Sequence, residues 1–190
     1  MAITRIGNPA IANIREPNFR NIIINGDMSL AQRSTSVSGI TGQSYNTVDR
    51  YATFLTTLGT WTQSQSTDVP TGQGFATSLK MDCTTADASP AAGDRLLIQQ
   101  KIEGQNLQYI KKGTSDAESL TVSFWVKSNK TGTYIAELFD NDNTRQISKS
   151  YTISSASTWE KKTITYDGDT TGAFDNDNAS SLRVNFWLVA

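Results

Sequence analysis

The chain has 190 residues, of which 37% are hydrophobic and 18% are charged, and its formal net charge is -1. This length suffices for one domain with a hydrophobic core, and the composition is too apolar for a disordered chain. No window approaches 18 consecutive apolar residues and no basic excess is present, so we expect neither membrane insertion nor nucleic-acid binding.

The residue types exclude several kinds of chemistry. The sequence has no histidine, and Cys83 is its single cysteine. These facts exclude Ser-His-Asp and Cys-His nucleophiles, histidine acid–base catalysis, thiolate or imidazole zinc sites and an intrachain disulfide. Residues 1–20 carry no apolar stretch of the kind found in secretory signals, so we expect none.

The first 18 residues differ from the rest of the chain. They carry four isoleucines, and Pro9 and Pro17 oppose a helix. One interpretation is an unstructured tail. The other is an extended arm that docks apolar side chains on a partner or a sister subunit, because an exposed tail needs no isoleucines. The four residues are Ile3, Ile6, Ile11 and Ile14.

Short strand patterns then recur between turn residues. They cover residues 19–25, 50–57, 60–65, 73–82, 95–102, 120–127, 133–139, 144–154, 158–166 and 182–189. Residues 103–110 favour one short helix, while residues 34–46, 82–93 and 168–181 are predicted loops. With 25 threonines and only five glutamates, this pattern predicts an all-β, two-sheet antiparallel sandwich.

Two predicted strands alternate clearly between an apolar face and a mixed face. The apolar faces must point to the core, because successive side chains of a strand point to opposite sides. They consist of Leu120, Val122, Phe124 and Val126, and of Leu182, Val184, Phe186 and Leu188. The mixed faces carry Trp125 and Trp187 among polar residues.

These mixed faces suggest a carbohydrate site. An indole ring stacks on the apolar face of a sugar, and amide and guanidinium groups read its hydroxyls. Trp125 and Trp187 are the predicted platforms, and Arg183, Asn185 and Gln99 the predicted hydroxyl readers. The competing interpretation is that a loop, the helix or a neighbouring subunit covers both indoles.

Acidic residues offer two further interpretations. Aspartates and asparagines at residues 140–143, 167–169 and 175–178 suit calcium, but they also form turns, and no EF-hand pattern is complete. Glu137 and Glu160 lie inside predicted strands, and a glycosidase needs two carboxyl groups about 5–9.5 Å apart. Nothing in the sequence brings them together, so we expect no enzymatic activity.

The order of several motifs resembles bacteriophage tail-fibre and virion proteins. Residues 19–35 (FRNIIINGDMSLAQRST) and 47–54 (TVDRYATF) match the opening of such proteins, which carry an N-(L/I)-(L/I)-I-N-G-D segment, a Q-R pair and a D-R-(W/Y) step. Later stretches also match, at residues 97–103, 120–127, 159–165 and 168–172.

This resemblance implies a carbohydrate-binding-module-like jelly roll over residues 19–190, without catalytic residues. It implies a virion component, assembled in the host cytoplasm, that binds host-surface glycan. Residues 1–18 would attach it to other virion proteins or hold a homotrimer. No cofactor is required, but a structural calcium near the first strand would fall on Asn25 and Asp27.

Two alternatives stay open. Relatives usually continue past a strand like residues 186–190 (FWLVA), so we expect either a longer protein or a final strand supplied by a neighbouring chain. The second alternative is a purely structural virion protein, a decoration, adaptor or appendage subunit, that contacts other virion proteins and binds no glycan.

Overall fold

The computed structural model describes residues 21–189, so the predicted arm with Ile3, Ile6, Ile11 and Ile14 lies outside the described residues. Ten strands form the framework of the described part. They are β1 Ser36–Ile40, β2 Tyr51–Thr56, β3 Thr60–Ser66, β4 Ser78–Thr85, β5 Arg95–Glu103, β6 Leu120–Val126, β7 Gly132–Asp140, β8 Arg145–Ile153, β9 Glu160–Tyr166 and β10 Ser180–Val189.

All strand pairs are antiparallel, and they form three sheets. A five-stranded sheet has the order β2-β5-β10-β7-β8 and forms one layer. The opposing layer is divided between a three-stranded sheet, β1-β3-β4, and a two-stranded sheet, β6-β9. The predicted all-β antiparallel sandwich is therefore confirmed, with a divided second layer.

The main core lies between the five-stranded sheet and β6-β9. Phe124 of β6 meets Phe186 of β10 and Tyr151 of β8 edge to face, with ring centroids 4.8 and 5.0 Å apart. Tyr166 of β9 is buried and donates a hydrogen bond from its hydroxyl to the Ala136 carbonyl, 2.9 Å away. The apolar faces predicted for β6 and β10 thus meet each other across this core.

A second apolar cluster joins the five-stranded sheet to β1-β3-β4. Ile40, Leu55, Leu58 and Leu96 are buried there, with Trp61 and Met81 packed against them. These two clusters lie on one face of the five-stranded sheet, which we call the inner face. The opposite, outer face carries the side chains that alternate with them.

Three local predictions are wrong. Residues 21–25 form no strand, although they contain three isoleucines, because Asn25 turns the chain with a φ of 56°. Residues 36–40, predicted as loop, form the edge strand β1. Strand β4 starts at Ser78 rather than residue 73, since Gly72 and Gly74 both have positive φ.

The predicted short helix is two 3-10 turns, Gly104–Asn106 and Gln108–Ile110. The chain cannot continue the helix, because Lys111 adopts a left-handed conformation with a φ of 54°. Within the described residues, no helix is both long and apolar enough to cross a membrane. The 3-10 turns lead from β5 of one layer to the loop before β6 of the other.

Candidate functional site on the outer sheet face

A row of polar side chains crosses the outer face of the five-stranded sheet. The antiparallel register places Asn185 of β10 opposite Gln99 of β5 on one side and opposite Glu137 of β7 on the other. Ser148 of β8 follows opposite Glu137. We call these four residues the polar row.

Hydrogen bonds connect the whole polar row. Gln99 Nε2 donates to Asn185 Oδ1 at 2.9 Å, and Asn185 Nδ2 donates to Glu137 Oε1 at 2.7 Å. Ser148 Oγ donates to the other carboxylate oxygen, Glu137 Oε2, at 3.2 Å. Gln99, Asn185 and Glu137 are all buried. This network fixes the side-chain orientations, because each buried polar group has a partner that it would lose on rotating.

Two donors beside the polar row have no hydrogen-bond partner among the described residues. Arg183 lies two residues before Asn185 and Trp187 lies two residues after it, so all three side chains share the outer face. The Trp187 Nε1 and Arg183 Nε atoms are buried and make no hydrogen bond within residues 21–189. Buried donors are normally satisfied, so an unpaired pair on one face indicates an external acceptor such as water or a ligand hydroxyl.

Aromatic rings and guanidinium groups border the same face. The Arg95 guanidinium lies 4.9 Å from the ring centroid of Phe54, and that of Arg183 lies 5.3 Å from the ring centroid of Phe139. Such stacking holds long cations in defined positions at moderate cost in rotamer freedom. The outer face therefore combines apolar rings, fixed amides and fixed cations.

Of the predicted site residues, the structure brings together Trp187, Arg183, Asn185 and Gln99. Glu137, Phe54 and Phe139 belong to the same face and were missed. Alternation within β7 signals that Glu137 and Phe139 share a face, but only the register shows that this face adjoins Trp187. Gln99 and Asn185 are less free to read hydroxyls than predicted, because they bind each other.

Trp125 does not join this group. It follows Phe124 on β6, and Phe124 points into the core against Phe186, the residue before Trp187. Trp125 and Trp187 therefore point away from each other on opposite sides of the sandwich. The expectation of one shared platform is corrected, because strand alternation fixes a face within each strand but not which sheet contains it.

The neighbourhood of Trp125 has its own indole. Trp125 is paired with Lys161 across β6-β9. Trp125 and Trp159 both line an opening that lies between β4 and β6. Trp159 Nε1 donates to Asp68 Oδ1 at 3.0 Å, and Lys127 stacks 5.9 Å from its ring centroid. The Trp159 indole is thus already satisfied within the protein, in contrast to Trp187.

The residues implied for calcium serve a turn instead. Asn25 Nδ2 donates to the carbonyls of Leu30 and Asp49, both at 3.0 Å, and Asn25 Oδ1 accepts the Leu30 N–H at 3.0 Å. Asp27 Oδ1 accepts hydrogen bonds from the backbone and hydroxyl of Ser29. Within residues 21–189, no three His, Cys, Asp or Glu side chains cluster to hold a metal. A calcium ion at Asn25 and Asp27 stays a prediction, and it would have to compete with these turn hydrogen bonds.

The acidic loops converge on a lysine. Lys112 Nζ lies 2.6 Å from Asp140 Oδ2 and 3.1 Å from Asp169 Oδ2. It also donates to the carbonyls of Thr171 and Gly172, at 2.9 and 2.6 Å. We call this arrangement the lysine cage. An ammonium group here takes the oxygen ligands that a cation would otherwise use.

The lysine cage affects the ionisation of Asp169. Hydrogen bonds from Arg145 and from Lys112 outweigh partial burial and hold the pKa of the Asp169 carboxyl far below its usual range. The Asp140 carboxylate accepts the backbone N–H groups of Asp142 and Asn143, both at 3.0 Å, which is a turn interaction. Turn formation and charge pairing thus account for these acidic residues.

The two glutamates considered for hydrolysis do not meet. Glu137 lies on the outer face of the five-stranded sheet. Glu160 starts β9 in the opposing layer, where it accepts the Ser154 and Ser155 N–H groups and pairs with Lys162 at 2.6 Å. Hydrogen bonds from Lys162 and from that backbone hold the pKa of Glu160 below its usual range. The structure therefore assembles no glycosidase pair from these residues.

The fold and the outer face define an antiparallel β-sandwich with a polar and aromatic sheet surface. No known protein family and no curated protein sequence matches the chain. Two solved structures resemble it in fold. One is the enzymatically active domain of tailspike protein 4 from bacteriophage CBA120, with 17% identity and a TM-score of 0.48. That match covers 87% of this chain but only 19% of the tailspike chain.

The second similar structure is a carbohydrate-binding module, described as CBM4. It shares 15% identity with a TM-score of 0.37, over 87% of this chain and 73% of the module. At these values the likeness concerns the β-sandwich architecture. Functional conclusions therefore depend on the side chains of this chain.

Proposed function

We propose that this chain is a non-enzymatic component of a bacteriophage virion, a tail-fibre or appendage subunit, that binds host-surface carbohydrate through the outer face of its five-stranded sheet. The motif order of residues 19–35 and 47–54 supports the virion setting. The side chains of the outer face support the carbohydrate ligand. In this proposal, the protein makes and breaks no covalent bond.

The proposal depends most on two donors of the outer face that lack hydrogen-bond partners among the described residues. Trp187 Nε1 and Arg183 Nε find no partner among residues 21–189, while every member of the polar row between and beside them is satisfied. Sugar hydroxyl and ring oxygens are the acceptors that both donors need. The two residues are four apart on one strand, a span of about 13 Å, which is the length of two to three sugar rings.

Each residue then has a defined role. Trp187 presents an aromatic surface to the C–H face of one sugar, and its indole N–H donates to a neighbouring oxygen. Arg183, held by its hydrogen bond to Asn141 Oδ1 and by the Phe139 ring, donates to a second sugar. The polar row, whose buried amides bind each other and Glu137, keeps the floor of the site rigid.

Binding of the purified chain to an array of bacterial surface polysaccharides tests this proposal. We expect saturable binding to a few structurally related polysaccharides, and no decrease in polysaccharide chain length after long incubation. Binding to none of them, by protein that is folded according to its circular dichroism, would reject a carbohydrate function.

A purely structural virion role is the second candidate, and one observation favours it. An opening of about 2320 Å³ separates β4 from β6 and is lined in part by Leu79, Phe124, Tyr134 and Phe186. Phe75, at its border, is 37% exposed. Apolar surface of this kind is typical of protein contacts. In this role the chain contacts other virion proteins or sister copies.

Deleting residues 1–18 separates the two candidates. If residues 1–18 attach a carbohydrate-binding module, their deletion abolishes oligomerisation or virion incorporation but leaves polysaccharide binding intact. Sedimentation velocity gives the oligomeric state, for which we propose a trimer. Loss of assembly by a chain that never binds polysaccharide would favour the structural role.

A further inference from the structure

A basic cleft lies at one end of the outer face, where β5 ends and β10 begins. Its volume is about 630 Å³. Strand residues and the loops that precede β2 and β10 form its walls. Its principal lining residues are Arg33, Tyr45, Arg50, Lys101, Asn178 and Ser180.

The charges of this cleft do not cancel. Arg33 pairs with Asp49 at 3.1 Å, and Arg50 donates to both carboxylate oxygens of Glu103 at 2.9 Å. Lys101 is the third cation of the cleft and is not paired: its ammonium group has no hydrogen-bond or ion-pair partner within residues 21–189. The cleft therefore carries one surplus positive charge.

The two acidic residues of the cleft, Asp49 and Glu103, are each already paired with an arginine. Partial burial opposes ionisation of Glu103, but hydrogen bonds from the backbone and from Arg50 hold its pKa below the usual range. Arg33 covers Asp49 and stacks 5.5 Å from the ring centroid of Tyr45. An incoming anion thus meets Lys101 rather than an unpaired carboxylate.

Lys101 connects the cleft with the outer face. It lies directly opposite Arg183 in the β5-β10 register, so their Cβ atoms are about 5 Å apart. Arg183 Nε and Ser180 Oγ are both buried, and neither has a hydrogen-bond partner in the described part of the chain. Tyr45 is 38% exposed and offers a ring surface at the cleft wall. Unpaired donors, one free ammonium group and an exposed ring therefore lie side by side.

We propose that the basic cleft is a subsite for a carboxylate-bearing sugar in the glycan that the outer face binds. This inference rests on the proposed carbohydrate function. Lys101 pairs with the sugar carboxylate, Arg183 Nε and Ser180 Oγ bind its oxygens, and Tyr45 packs against its ring. The chain thereby prefers acidic polysaccharides over neutral ones of the same backbone.

The distribution of charge favours an acidic sugar over a nucleic acid. A nucleic-acid site needs several unpaired cations that follow a phosphate backbone, because each neutralised phosphate contributes to affinity. The cleft has one such cation, Lys101, and the adjacent outer face adds only Arg183, while the chain has a net charge of -1. A single ammonium beside an aromatic ring matches one carboxylate on a ring-shaped ligand.

Matched polysaccharides and matched variants test the subsite. The probes are uronate-containing bacterial capsular polysaccharides and the same polysaccharides after reduction of their carboxyl groups to primary alcohols. The proteins are the full chain, Lys101→Met, the rescue variant Lys101→Arg, and Lys130→Met. Lys130 is an exposed loop lysine outside both the cleft and the outer face, so its variant controls for net charge.

We expect the full chain to bind at least one uronate polysaccharide about tenfold more tightly than its reduced form, as one charge-assisted contact allows. Lys101→Met should lose this difference while binding the reduced form normally. Lys101→Arg and Lys130→Met should keep it. Higher ionic strength should weaken binding of the uronate form only.

Two results would overturn the inference in distinguishable ways. Equal affinity for the uronate and reduced forms, or an unchanged preference in Lys101→Met, would reject the acidic subsite and leave the carbohydrate function standing. Absence of binding to both forms would reject the carbohydrate function and the subsite with it. Strong binding to double-stranded DNA that Lys101→Met removes would replace the sugar with a nucleic acid.

Discussion

The lysine cage and the outer face are both polar regions built on buried side chains, but they differ in how completely their hydrogen bonds are satisfied. Lys112 has four oxygen neighbours within 3.1 Å, so its ammonium group has no capacity left for a ligand. On the outer face, Trp187 and Arg183 each have a buried donor that no group of the described residues satisfies. Complete satisfaction indicates a structural role for the lysine cage, whereas the unpaired donors of the outer face are the observation on which the proposed binding site rests.

The two regions also differ in their position in the fold. The lysine cage joins the loop after the 3-10 turns to the β7-β8 turn and to the loop after β9, so it closes one end of the sandwich. Gly172, with a φ of 71°, lets the Asn143 carboxamide pack against the backbone there. The outer face lies on regular strands, where the register fixes each side chain. Rigid strands suit a recognition surface, whereas the cage ties three loops to one another.

The largest change in stability should come from opening the lysine cage. Lys112→Met leaves the Asp140 carboxylate buried without its cation, so we expect the free energy of unfolding to fall by about 3–5 kcal/mol. Urea denaturation measures this loss. Lys111→Met is the control, because Lys111 forms an exposed pair with Glu118 whose removal should cost about 1 kcal/mol or less. Equal effects of the two variants would show that the cage does not stabilise the fold.

The polar row should tolerate an isosteric change but not a truncation. Glu137→Gln keeps an acceptor for Asn185 Nδ2 and gives Ser148 a donor in place of an acceptor, so stability should change little. Glu137→Ala leaves the Asn185 amide unpaired and should cost about 1–3 kcal/mol. Thermal and urea unfolding of the two variants provide the comparison. A loss as large in the glutamine variant would mean that the negative charge itself is needed.

Stability should stay flat over a wide pH range and fall at both ends. The pKa of Asp169 is lowered in the folded state, so its contribution is complete above the unfolded pKa near 4 and is lost as the pH falls below it. Burial raises the pKa of Tyr51 and of Tyr166 to about 12. Their contribution to the free energy of unfolding is complete below the unfolded pKa near 10, and it is lost as the pH rises through 12.

Melting temperatures measured across this range check both limbs. Asp169→Asn should reduce the fall in melting temperature at low pH. Asp167→Asn, which alters an exposed aspartate two residues away, should leave that fall unchanged. The sequence has no histidine, so no transition is expected between pH 5 and 8. A sharp transition in that window would contradict this assignment of the titrating groups.

Calcium should have the smallest effect of all. Because the Asn25 amide and one Asp27 oxygen are occupied by the turn, we expect the same melting temperature in calcium chloride and in chelator. The affinity for polysaccharide should likewise be equal in calcium chloride and in chelator. If calcium raised the melting temperature and Asp27→Asn removed that increase, the turn would have to rearrange into a metal site.

The sequence predicts the fold class well because the signals are local. Alternation in residues 120–126 and 182–188 identifies strands and their core faces without knowledge of the partners. Strand β1 is not predicted because its SVSGI sequence is short and contains two serines and a glycine, and an edge strand needs only one hydrogen-bonded neighbour. The predicted helical segment at 103–110 is present as two 3-10 turns, and the close approach of the Asp175 carbonyl to Gly104 leaves no room for a side chain there.

The site is harder to predict because it depends on register. Nothing local to β10 says that Asn185 faces Glu137, or that Trp125 belongs to the opposing layer. The lysine cage likewise unites Lys112 with residues 28 and 57 positions later. Aspartate-rich turns suggest cations, but only the folded chain shows that the cation is a lysine.

The most direct test of the central claim compares two tryptophans on the polysaccharide that the full chain binds best. Trp187→Ala should lower the affinity at least about 30-fold, as expected for a central aromatic contact, while Trp187→Phe keeps part of it. Trp125→Ala, on the opposite side of the sandwich, should bind normally. Circular dichroism confirms that each variant is folded. Unchanged binding by folded Trp187→Ala, or loss of binding by Trp125→Ala alone, would contradict the assignment of the outer face.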